Sequence, residues 1–373
     1  MTRIGADILK RLTGDWLLML LLLTLPPLIW LAPVPATDLP ALVDWKTVAA
    51  LAGLMALSRG LELSGLLDRA GRWVLGRLRS LRALAVALVL LAAGLAAIVT
   101  NDVALFVTVP LTLGLAQIVA LPVGRLVIFQ ALAVNAGSTL SPVGNPQNLF
   151  LWQSTGTSLV DFTLAMLPIA TAMLALVLAL VPLAFTRAPL ALQPARPPMA
   201  LARHLMALCL AAYPLFLLAV NAGYPEAEAA AALVLAGFAL GHRRVLRGLD
   251  WALLLVLVLI FVNLGLLGRI PAIAAWAEGA MQGTWAAFAL GAGMSQLMSN
   301  VPATIFLAPF TEEWRALAWG VNIGGFGLAI ESLANLIALR LAPLPGQWRE
   351  FHIWSVPILL ASLLAGAALM ALI

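Results

Sequence analysis

NAGSTLSPVGNPQN, residues 135–148, interrupts an apolar segment that begins near Leu126. Ser141, Pro142 and Gly144 cannot continue a regular helix, because proline lacks a main-chain N–H and glycine favours turns. A helix that breaks at membrane depth frees main-chain groups, and such breaks survive only where they are buried in protein or line a site. The freed carbonyls and amides, with the Asn and Ser side chains, are ready ligands for an ion or a polar solute.

A second copy of this stretch, NIGGFGLAIESLAN, lies 187 residues later at 322–335. Within these 14 residues, three pairs are identical: Asn135 and Asn322, Gly137 and Gly324, and Asn148 and Asn335. Glu331 takes the place of Gly144 in the second copy. Glycines again interrupt an apolar segment, so we expect a second broken helix there.

A further pair of matching stretches precedes the two copies. TNDVALFVTVPLT at 100–112 aligns with SNVPATIFLAPFT at 299–311, and the offset of 199 pairs Asn101 with Asn300. The 12-residue difference between the two offsets indicates a deletion between the two motifs of the second copy. Two motif pairs in the same order indicate a duplicated transport core. Interrupted helices at matching positions of two repeats are typical of the binding site of a secondary transporter.

The composition is that of a polytopic α-helical membrane protein. Hydrophobic residues make up 63% of the chain and charged residues only 10%, whereas a soluble protein carries about 25% charged residues. Several apolar runs reach the roughly 18 residues that a membrane-spanning helix needs. The net charge of +5 does not indicate nucleic-acid binding, because the basic residues lie at predicted helix ends rather than in one patch. The single cysteine, Cys209, excludes an intramolecular disulfide and a cysteine-rich metal site.

The predicted organisation is two inverted repeats joined by a linker. The first repeat covers residues 1–186 and the second covers 204–373, while residues 187–203, rich in Pro and Arg, form a cytoplasmic linker. Each repeat is expected to contribute one re-entrant hairpin and one broken helix. The alternative for the first hairpin is two ordinary spans, since hydropathy alone does not separate them.

The hairpins and broken helices have these predicted bounds. The first repeat contains a hairpin at 83–120 and a broken helix at 126–152. The second repeat contains a hairpin at 283–312 and a broken helix at 316–340. Both hairpin tips carry polar residues between apolar arms, which predicts that the tips meet the neighbouring breaks at membrane depth.

The distribution of positive charge predicts the orientation in the membrane. If the N-terminus is cytoplasmic, 18 of the 21 basic residues fall in predicted cytoplasmic segments, as the positive-inside rule requires. The exceptions are Lys46, Arg269 and Arg315. This orientation requires both hairpins to be re-entrant, one from each side. We therefore predict a multi-pass protein of a bacterial-type inner membrane with a cytoplasmic N-terminus, and the lipid bilayer as its first partner.

The motifs TND-x6-VP, AVNAGS-x2-SPVGNPQN, SN-x-P and ESLANLIAL resemble those of the ion transporter superfamily, and the resemblance covers roughly residues 45–340. That superfamily includes arsenical pump membrane proteins, citrate transporters, sodium/proton antiporters of the NhaD type and divalent-anion/sodium symporters. Within it, the chain resembles the short inner-membrane transporters of the YbiR type. The resemblance implies a homodimer whose chains each have a scaffold domain and a mobile transport domain, with elevator-like motion.

The resemblance also implies that each hairpin tip and its neighbouring broken helix form a pocket for a cation and a substrate. Carried over to this sequence, the first half-site comprises Thr100, Asn101, Asp102, Gly144 and Asn145. The second half-site comprises Ser299, Asn300, Thr304, Gly324, Gly325 and Glu331. Dicarboxylate symporters carry Ser-Asn-Thr at both tips, and this sequence departs from that pattern at both. The departure weakens any transfer of dicarboxylate specificity and of two sodium sites.

Two side-chain carboxyl groups are the strongest candidates for binding a coupling ion. A charged side chain at membrane depth costs about 2.5–3.5 kcal/mol on insertion scales, so Asp102 is a functional hypothesis as a sodium ligand or a proton carrier. The alternative is that Asp102 is the N-cap of a helix over 103–118. Glu331 contacts the substrate or the coupling ion, or begins the second half of its broken helix.

The remaining candidates are amides. Asn101 and Asn300 offer a donor to an anion and an acceptor to a cation, and interhelical hydrogen bonding is the alternative role. The other candidate amides, for which capping of the broken ends is the alternative, are Asn135, Asn145, Asn148, Asn322 and Asn335. A sodium ion is predicted at Asn101, Asp102, Gly144 and Asn300. The histidines, His204, His242 and His352, are interpreted as interfacial residues at helix ends.

These features predict a secondary active transporter of a small anion or oxyanion. Sodium or a proton is the expected coupling ion, and no other cofactor is expected. The alternatives are arsenite or antimonite efflux, sodium/proton antiport and a passive channel. An enzyme is not expected, because the sequence contains neither a P-loop nor a metal motif such as H-E-x-x-H.

Overall fold

The computed structural model shows an all-α protein. It describes residues 16–32, 34–66, 68, 69, 73, 77–98, 100–190, 199–222 and 226–372. Among these residues there is no β-strand, and an isolated β-bridge joins Ser80 to Pro189. With its apolar helices, the chain is an all-α polytopic membrane protein. Residues 1–15, on which the predicted cytoplasmic N-terminus depends, and residues 191–198 of the predicted linker lie outside the described residues.

The helices are numbered in chain order. Those of the first half are α1 (Trp16–Leu31), α2 (Trp45–Leu63), α3 (Leu81–Ile98), α4 (Asn101–Ala116), α5 (Val123–Ser138), α6 (Pro146–Thr155) and α7 (Leu159–Ala184). Those of the second half are α8 (Arg203–Ala222), α9 (Glu226–Gly241), α10 (Arg243–Arg247), α11 (Trp251–Leu267), α12 (Pro271–Ala280), α13 (Thr284–Met298), α14 (Asn300–Leu307), α15 (Trp314–Gly324), α16 (Leu333–Leu341) and α17 (Gln347–Met370). Short 3₁₀ helices occupy Ala36–Leu42 and Ala308–Phe310.

Within the described part of the chain, α3, α7 and α17 are each long and apolar enough to cross a membrane. A fourth crossing is added if α11 and α12, which are bent by 68°, are counted as one broken span. By contrast, α4 has 16 residues, so it is about 24 Å long and shorter than the roughly 30 Å hydrocarbon core. Helix α3, with 18 residues, is itself long enough to cross, so helix length does not decide between a hairpin and two full spans at α3 and α4. The re-entrant course stays a prediction, since helix length does not determine the side on which a chain leaves a bilayer.

The chain divides into two compact units that are discontinuous in sequence. One unit comprises the chain up to Arg59 together with Ala211–Gly279, and the other comprises Gly60–Leu210 together with Ala280–Ile373. Each unit therefore takes segments from both predicted repeats. The division into repeats at 186 and 204 stays a prediction, because compactness does not report on duplication.

In the smaller unit, α1 packs against α11. A buried polar contact joins these two apolar helices: Thr24 Oγ1 donates 2.8 Å to Asn263 Oδ1, and Asn263 Nδ2 donates 3.2 Å to the carbonyl of Leu21. A small apolar cluster of Ala32, Val43, Val262 and Leu266 lies beside it. Hydrogen bonds between apolar helices satisfy groups that lipid cannot.

In the larger unit, the main helix contacts occur in pairs that the repeat relates. Helix α5 packs on α3 just as α15 packs on α13, and these are the most extensive contacts of the unit. Helix α4 packs on α16, and α14 packs on α6. The second arm of each hairpin therefore contacts the second half of the other repeat's broken helix. This exchange brings both predicted half-sites into one unit.

Both helix breaks have local causes. Helix α5 ends at Ser138, and α6 begins at Pro146 with Asn145 as its N-cap, so Pro142 and Gly144 fall between the two helices. Proline at the first helical position is favoured because its missing N–H would have no partner there. In the second copy, α15 ends at Gly324 and α16 begins at Leu333.

Two expectations about helix ends change. The N-cap of α4 is Thr100, and the helix already begins at Asn101, so Asp102 lies in the first turn and is not the cap. Glu331 does not begin α16, because Ser332 is the N-cap and Leu333 is the first helical residue. In the second copy, α14 has 8 residues where α4 has 16, and a 3₁₀ helix at Ala308–Phe310 follows it.

Candidate functional site

The first half-site joins the tip between α3 and α4 to the break between α5 and α6. Thr100 caps α4, and its Oγ1 accepts a hydrogen bond of 3.4 Å from the main-chain N of Val103. The main-chain N of Asn101 donates 2.8 Å to the carbonyl of Gly144, the residue before the N-cap Asn145. The start of one helix is thus tied directly to the end of the break.

The second half-site repeats this arrangement. The main-chain N of Asn300 donates 2.8 Å to the carbonyl of Glu331, and Ser299 Oγ donates 2.7 Å to the same carbonyl. The repeat alignment pairs Asn300 with Asn101 and Glu331 with Gly144. Equivalent main-chain hydrogen bonds therefore close both tips onto both breaks.

The backbone of the two tips differs at one residue. Ser299 has φ 68° and is the one non-glycine residue with positive φ among those the structure describes. Its repeat partner Thr100 has φ −84° with nearly the same ψ, 156° against 154°. Positive φ is costly for a residue with a Cβ, and such strain concentrates at functional sites. Ser299 consequently does not cap α14, and its hydroxyl is free to bind the Glu331 carbonyl.

Four of the predicted asparagines are hydrogen-bonded to one another between the breaks. Asn135 Nδ2 donates 2.8 Å to Asn335 Oδ1, and Asn322 Nδ2 donates 2.7 Å to Asn148 Oδ1. All four side chains are buried. Since the repeat pairs Asn135 with Asn322 and Asn335 with Asn148, each bond becomes the other when the two copies are exchanged.

A second pair of hydrogen bonds obeys the same exchange. Asn145 Nδ2 donates 2.9 Å to Asn322 Oδ1, and Ser332 Oγ donates 3.0 Å to Asn135 Oδ1. Asn145 and Ser332 are repeat partners at the offset of 187. A contact pattern that returns to itself on exchange has two-fold pseudosymmetry. The pattern does not orient the copies in a bilayer, so the inverted arrangement stays a prediction.

Asp102 is the candidate carboxyl of the first half-site. Its main-chain N donates 2.9 Å to Asn101 Oδ1. Its carboxyl Oδ1 is covered and has no hydrogen-bond partner among the described residues. Leaving a buried carboxyl oxygen unpaired is costly, so the group is available to an ion or a proton. Sodium is a hard cation that prefers oxygen ligands of this kind.

Glu331 is the candidate carboxyl of the second half-site and is completely buried. Neither of its carboxyl oxygens forms a well-aligned hydrogen bond in the described part of the chain. The nearest polar groups are Gln296 and the main chain at Leu328 and Gly327. Each half-site therefore holds one carboxyl group with at least one covered oxygen that lacks a well-aligned hydrogen-bond partner among the described residues.

The other three predicted residues have structural partners. Thr304 Oγ1 donates 2.7 Å to the carbonyl of Asn300, one turn earlier in α14. A Cβ on Gly324 would lie 2.5 Å from the Cβ of Ser295, so this glycine allows α15 to approach α13. The carbonyl of Gly325 accepts the amides of Asn135 (2.9 Å) and Asn335 (3.1 Å).

Three side chains outside the predicted set hold the second break. Gln296 Nε2 donates 2.8 Å to the carbonyl of Gly324, and Gln296 Oε1 accepts 3.0 Å from the main-chain N of Leu328. Ser355 Oγ donates 2.6 Å to the carbonyl of Gly327. His352 is the third and accepts from the main-chain N of Ala329. Repeat matching could not indicate Gln296, because its partner in the first copy is Ala97.

Comparison with known proteins places this architecture among transporters. Residues 8–324 match the family described as citrate transporter. The chain is 40% identical over 373 residues, 98% of each chain, to the inner membrane protein YbiR of Escherichia coli strain K12. It is 32% identical over 304 residues to the uncharacterized transporter MJ0456 of Methanocaldococcus jannaschii, which covers 81% of this chain and 82% of that one. A shorter stretch of 135 residues, 36% of this chain and 28% of the relative, is 31% identical to the silicon efflux transporter LSI3 of Oryza sativa subsp. japonica.

Proposed function

We propose, because the chain belongs to the citrate transporter family of the ion transporter superfamily, that it is a secondary active transporter of a small anion or oxyanion. Membership of the family makes the chain a membrane-embedded transporter. The nature of the solute, the coupling ion and the mechanism are our proposals. They rest on the geometry of the two half-sites.

The observation that carries the proposal is the closure of each hairpin tip onto a break. Asn101 binds the carbonyl of Gly144 and Asn300 binds that of Glu331, both at 2.8 Å. Each tip thereby brings the N-terminus of a helix, α4 or α14, to a break whose main chain is not helical. Helix N-termini carry partial positive charge and favour an anionic group. We propose that the solute binds between the tips and the breaks.

Sodium or protons are the proposed coupling ions. Among the candidate site residues, only Asp102 and Glu331 are ionisable, and both have covered carboxyl oxygens without well-aligned partners. The partial positive charge of a helix N-terminus repels a cation, so a cation binds there only where a carboxylate supplies a larger negative charge. We therefore propose one cation, a sodium ion or a proton, at Asp102, with the Asn101 side chain as neighbour. Glu331 is the second candidate.

The proposed transport cycle is of the elevator type in a homodimer. Its support is the division of the chain into two compact units, one of which holds all the candidate site residues. A mobile transport unit must contain its whole binding site. Here all the candidate site residues, including the asparagine network, lie in the larger unit. We propose the smaller unit as the scaffold and as the part that contacts a second copy.

The alternative proposal is arsenite or antimonite efflux, or sodium/proton antiport. The observation that favours it is the charge of the candidate site, in which both ionisable side chains are carboxyls. Carboxylates repel an anion but accept a proton, a sodium ion or a neutral hydroxylated acid. The partial match to a protein named as a silicon efflux transporter supports the same alternative.

Thermal unfolding of the purified protein in detergent tests these proposals. The solutes would be citrate, succinate, sulfate, phosphate and arsenite, each with sodium or with choline at two pH values. A ligand at 100 times its dissociation constant stabilises by about 2.7 kcal/mol. A shift by an anion that requires sodium supports sodium-coupled anion transport. A shift by sodium or pH alone, with no anion effect, favours antiport instead.

A flux measurement separates active from passive transport. Proteoliposomes would be loaded with the solute that stabilises the protein and placed under an imposed sodium or proton gradient. Accumulation against the solute's own gradient supports coupled transport. Flux that stays downhill under every ion gradient would overturn it in favour of a channel.

A further inference from the structure

We propose that His352 is a positioning residue whose neutral imidazole holds the second break, and with it Glu331, in the geometry of the site. The proposal deepens the proposed function, on which its consequence for transport rests. The structural part concerns one histidine, one main-chain N–H and one loop. It can be tested without knowledge of the solute.

The two ring nitrogens of His352 have partners of fixed chemistry. The main-chain N of Ala329 lies 3.3 Å from Nε2, and the carbonyl of Trp348 lies 2.7 Å from Nδ1. A main-chain N–H can only donate and a carbonyl can only accept. Nε2 must therefore accept and Nδ1 must carry the proton. Both bonds exist together only in the neutral Nδ1–H tautomer.

This bond fixes the middle of the second break. Ala329 lies between Gly324, where α15 ends, and Glu331, whose carbonyl is held by the tip. Ala329 is buried, with 1% of its surface exposed, so its N–H would have no water to replace a lost partner. A buried N–H without an acceptor is destabilising. Loss of the His352 bond therefore displaces the loop that carries Glu331.

Among the side chains that hold this loop, His352 is the one whose hydrogen bonding depends on pH. Gln296 binds Gly324 and Leu328, and Ser355 binds the Gly327 carbonyl, but neither side chain titrates. An imidazole changes charge between about pH 5 and pH 8. When it gains a proton, Nε2 becomes a donor and can no longer accept from Ala329. Acidification therefore releases the break.

The surroundings of His352 contain few other charges. Helix α17 packs against α5, α7 and α15. The charged side chains of these three helices and of the break are Arg125, Asp161, Arg315 and Glu331. On α17 itself the neighbours are Arg349 and Glu350, and Glu350 accepts 2.7 Å from Arg125 Nε. Glu331 is two residues from Ala329, so a charge on His352 acts close to the carboxyl of the second half-site.

The tautomer is the first readout. The chain has three histidines, so the variant His204→Gln/His242→Gln leaves His352 as the sole imidazole. Nitrogen-15 NMR of this variant in detergent at pH 8 should show one histidine in the Nδ1–H form. An Nε2–H form, or an averaged mixture of the two tautomers, would overturn the proposal.

Hydrogen–deuterium exchange of the break is the second readout. Peptides covering 325–332 should exchange about tenfold faster at pH 5.5 than at pH 7.5 after correction for the intrinsic rate, because an opened N–H exchanges freely. In His352→Gln the tenfold difference should be lost, since the glutamine oxygen accepts from Ala329 at both pH values. His242→Gln is the matched control and should behave as the wild type. A tenfold pH effect that persists in His352→Gln would overturn the proposal.

Two further measurements separate a positioning role from a purely structural one. Ser355→Ala removes the Gly327 bond and should speed exchange of the same peptides equally at both pH values. Sodium-22 exchange in proteoliposomes should be less inhibited by acid in His352→Gln than in the wild type or in His242→Gln, and the inhibition that stays is that of protons competing for the carboxyls of the two half-sites. If neither the wild type nor any variant exchanges sodium, the proposed coupling to sodium is wrong. The NMR and hydrogen–deuterium exchange results then still decide the role of His352.

Discussion

Asn135 donates a side-chain hydrogen bond of 2.8 Å to Asn335, a residue 200 positions away in the other copy of the repeat. The repeat converts this bond into the 2.7 Å bond from Asn322 to Asn148. Both bonds are buried, where an unpaired amide is expensive. The two copies therefore complete each other's hydrogen bonding, and neither copy of the core is satisfied alone.

The pseudosymmetry predicts that equivalent substitutions both destabilise the core. Asn148→Ala and Asn335→Ala each remove the acceptor of one cross-repeat bond and leave a buried donor, on Asn322 or Asn135, with one partner fewer. We expect each variant to lose about 1–3 kcal/mol of stability. The larger loss should be in Asn148→Ala, because Asn148 Nδ2 also donates to the carbonyls of Ser138, Thr139 and Ser141, whereas Asn335 Nδ2 also donates to that of Gly325. Thermal unfolding in detergent measures both. A large loss in one variant and none in the other would contradict a symmetric network.

The sequence predicts the helix breaks and their neighbours because those depend on local chemistry. Pro142 and Gly144 exclude a continuous helix, and Asn145 is a residue type that favours N-caps. The structure has this break and this cap at these residues. The N-cap of α4 is predicted less well, because it is Thr100 and not Asp102. The internal repeat then relates each feature of the first copy to the second, which is how Asn300 was paired with Asn101.

Long-range contacts cannot be predicted from local sequence patterns or from the repeat. The repeat relates Asn135 to Asn322, yet Asn135 bonds to Asn335, which depends on how the copies are packed. The role of Gln296 is also not predictable, because the amide replaces an alanine and its partners are main-chain groups. The discontinuous units depend on packing of segments far apart in sequence. Whether the predicted site residues bind solute stays a prediction.

Asp102 provides a test of ion coupling. Its Oδ1 has no hydrogen-bond partner among the described residues, so Asp102→Asn costs no known bond and should leave thermal stability within about 1 kcal/mol of the wild type. Sodium- or proton-driven flux in proteoliposomes should fall to background, because the amide carries no charge and cannot be protonated. Asp161→Asn changes an exposed carboxyl outside the site and should keep its flux. Full flux in Asp102→Asn would remove this carboxyl from the coupling mechanism.

The close approach of α5 to α3 predicts a strong effect at Gly137. A Cβ there would overlap the carbonyl oxygen of Ala93, which belongs to the main chain and cannot rotate away. Gly137→Ala should therefore cost about 2 kcal/mol or more of stability, as overpacking does. Gly94 is the matched control on α3, since its Cβ would meet no atom within 4 Å. Gly94→Ala should be neutral or stabilising by up to about 1 kcal/mol. Equal effects at both positions would contradict the close contact.

The backbone difference between the two hairpin tips predicts opposite responses to glycine. Ser299 has φ 68° and Thr100 has φ −84°, and glycine adopts positive φ without the cost that a Cβ imposes. Ser299→Gly and Ser299→Ala both lose the hydroxyl that binds the Glu331 carbonyl, so their difference isolates the backbone. We expect Ser299→Gly to be about 1 kcal/mol more stable than Ser299→Ala. At the control position the order should reverse, with Thr100→Gly about 0.5–1 kcal/mol less stable than Thr100→Ala, because glycine there only adds freedom to the unfolded chain. Unfolding of the four variants in detergent gives both differences, and the same order at both tips would mean that Ser299 is not strained.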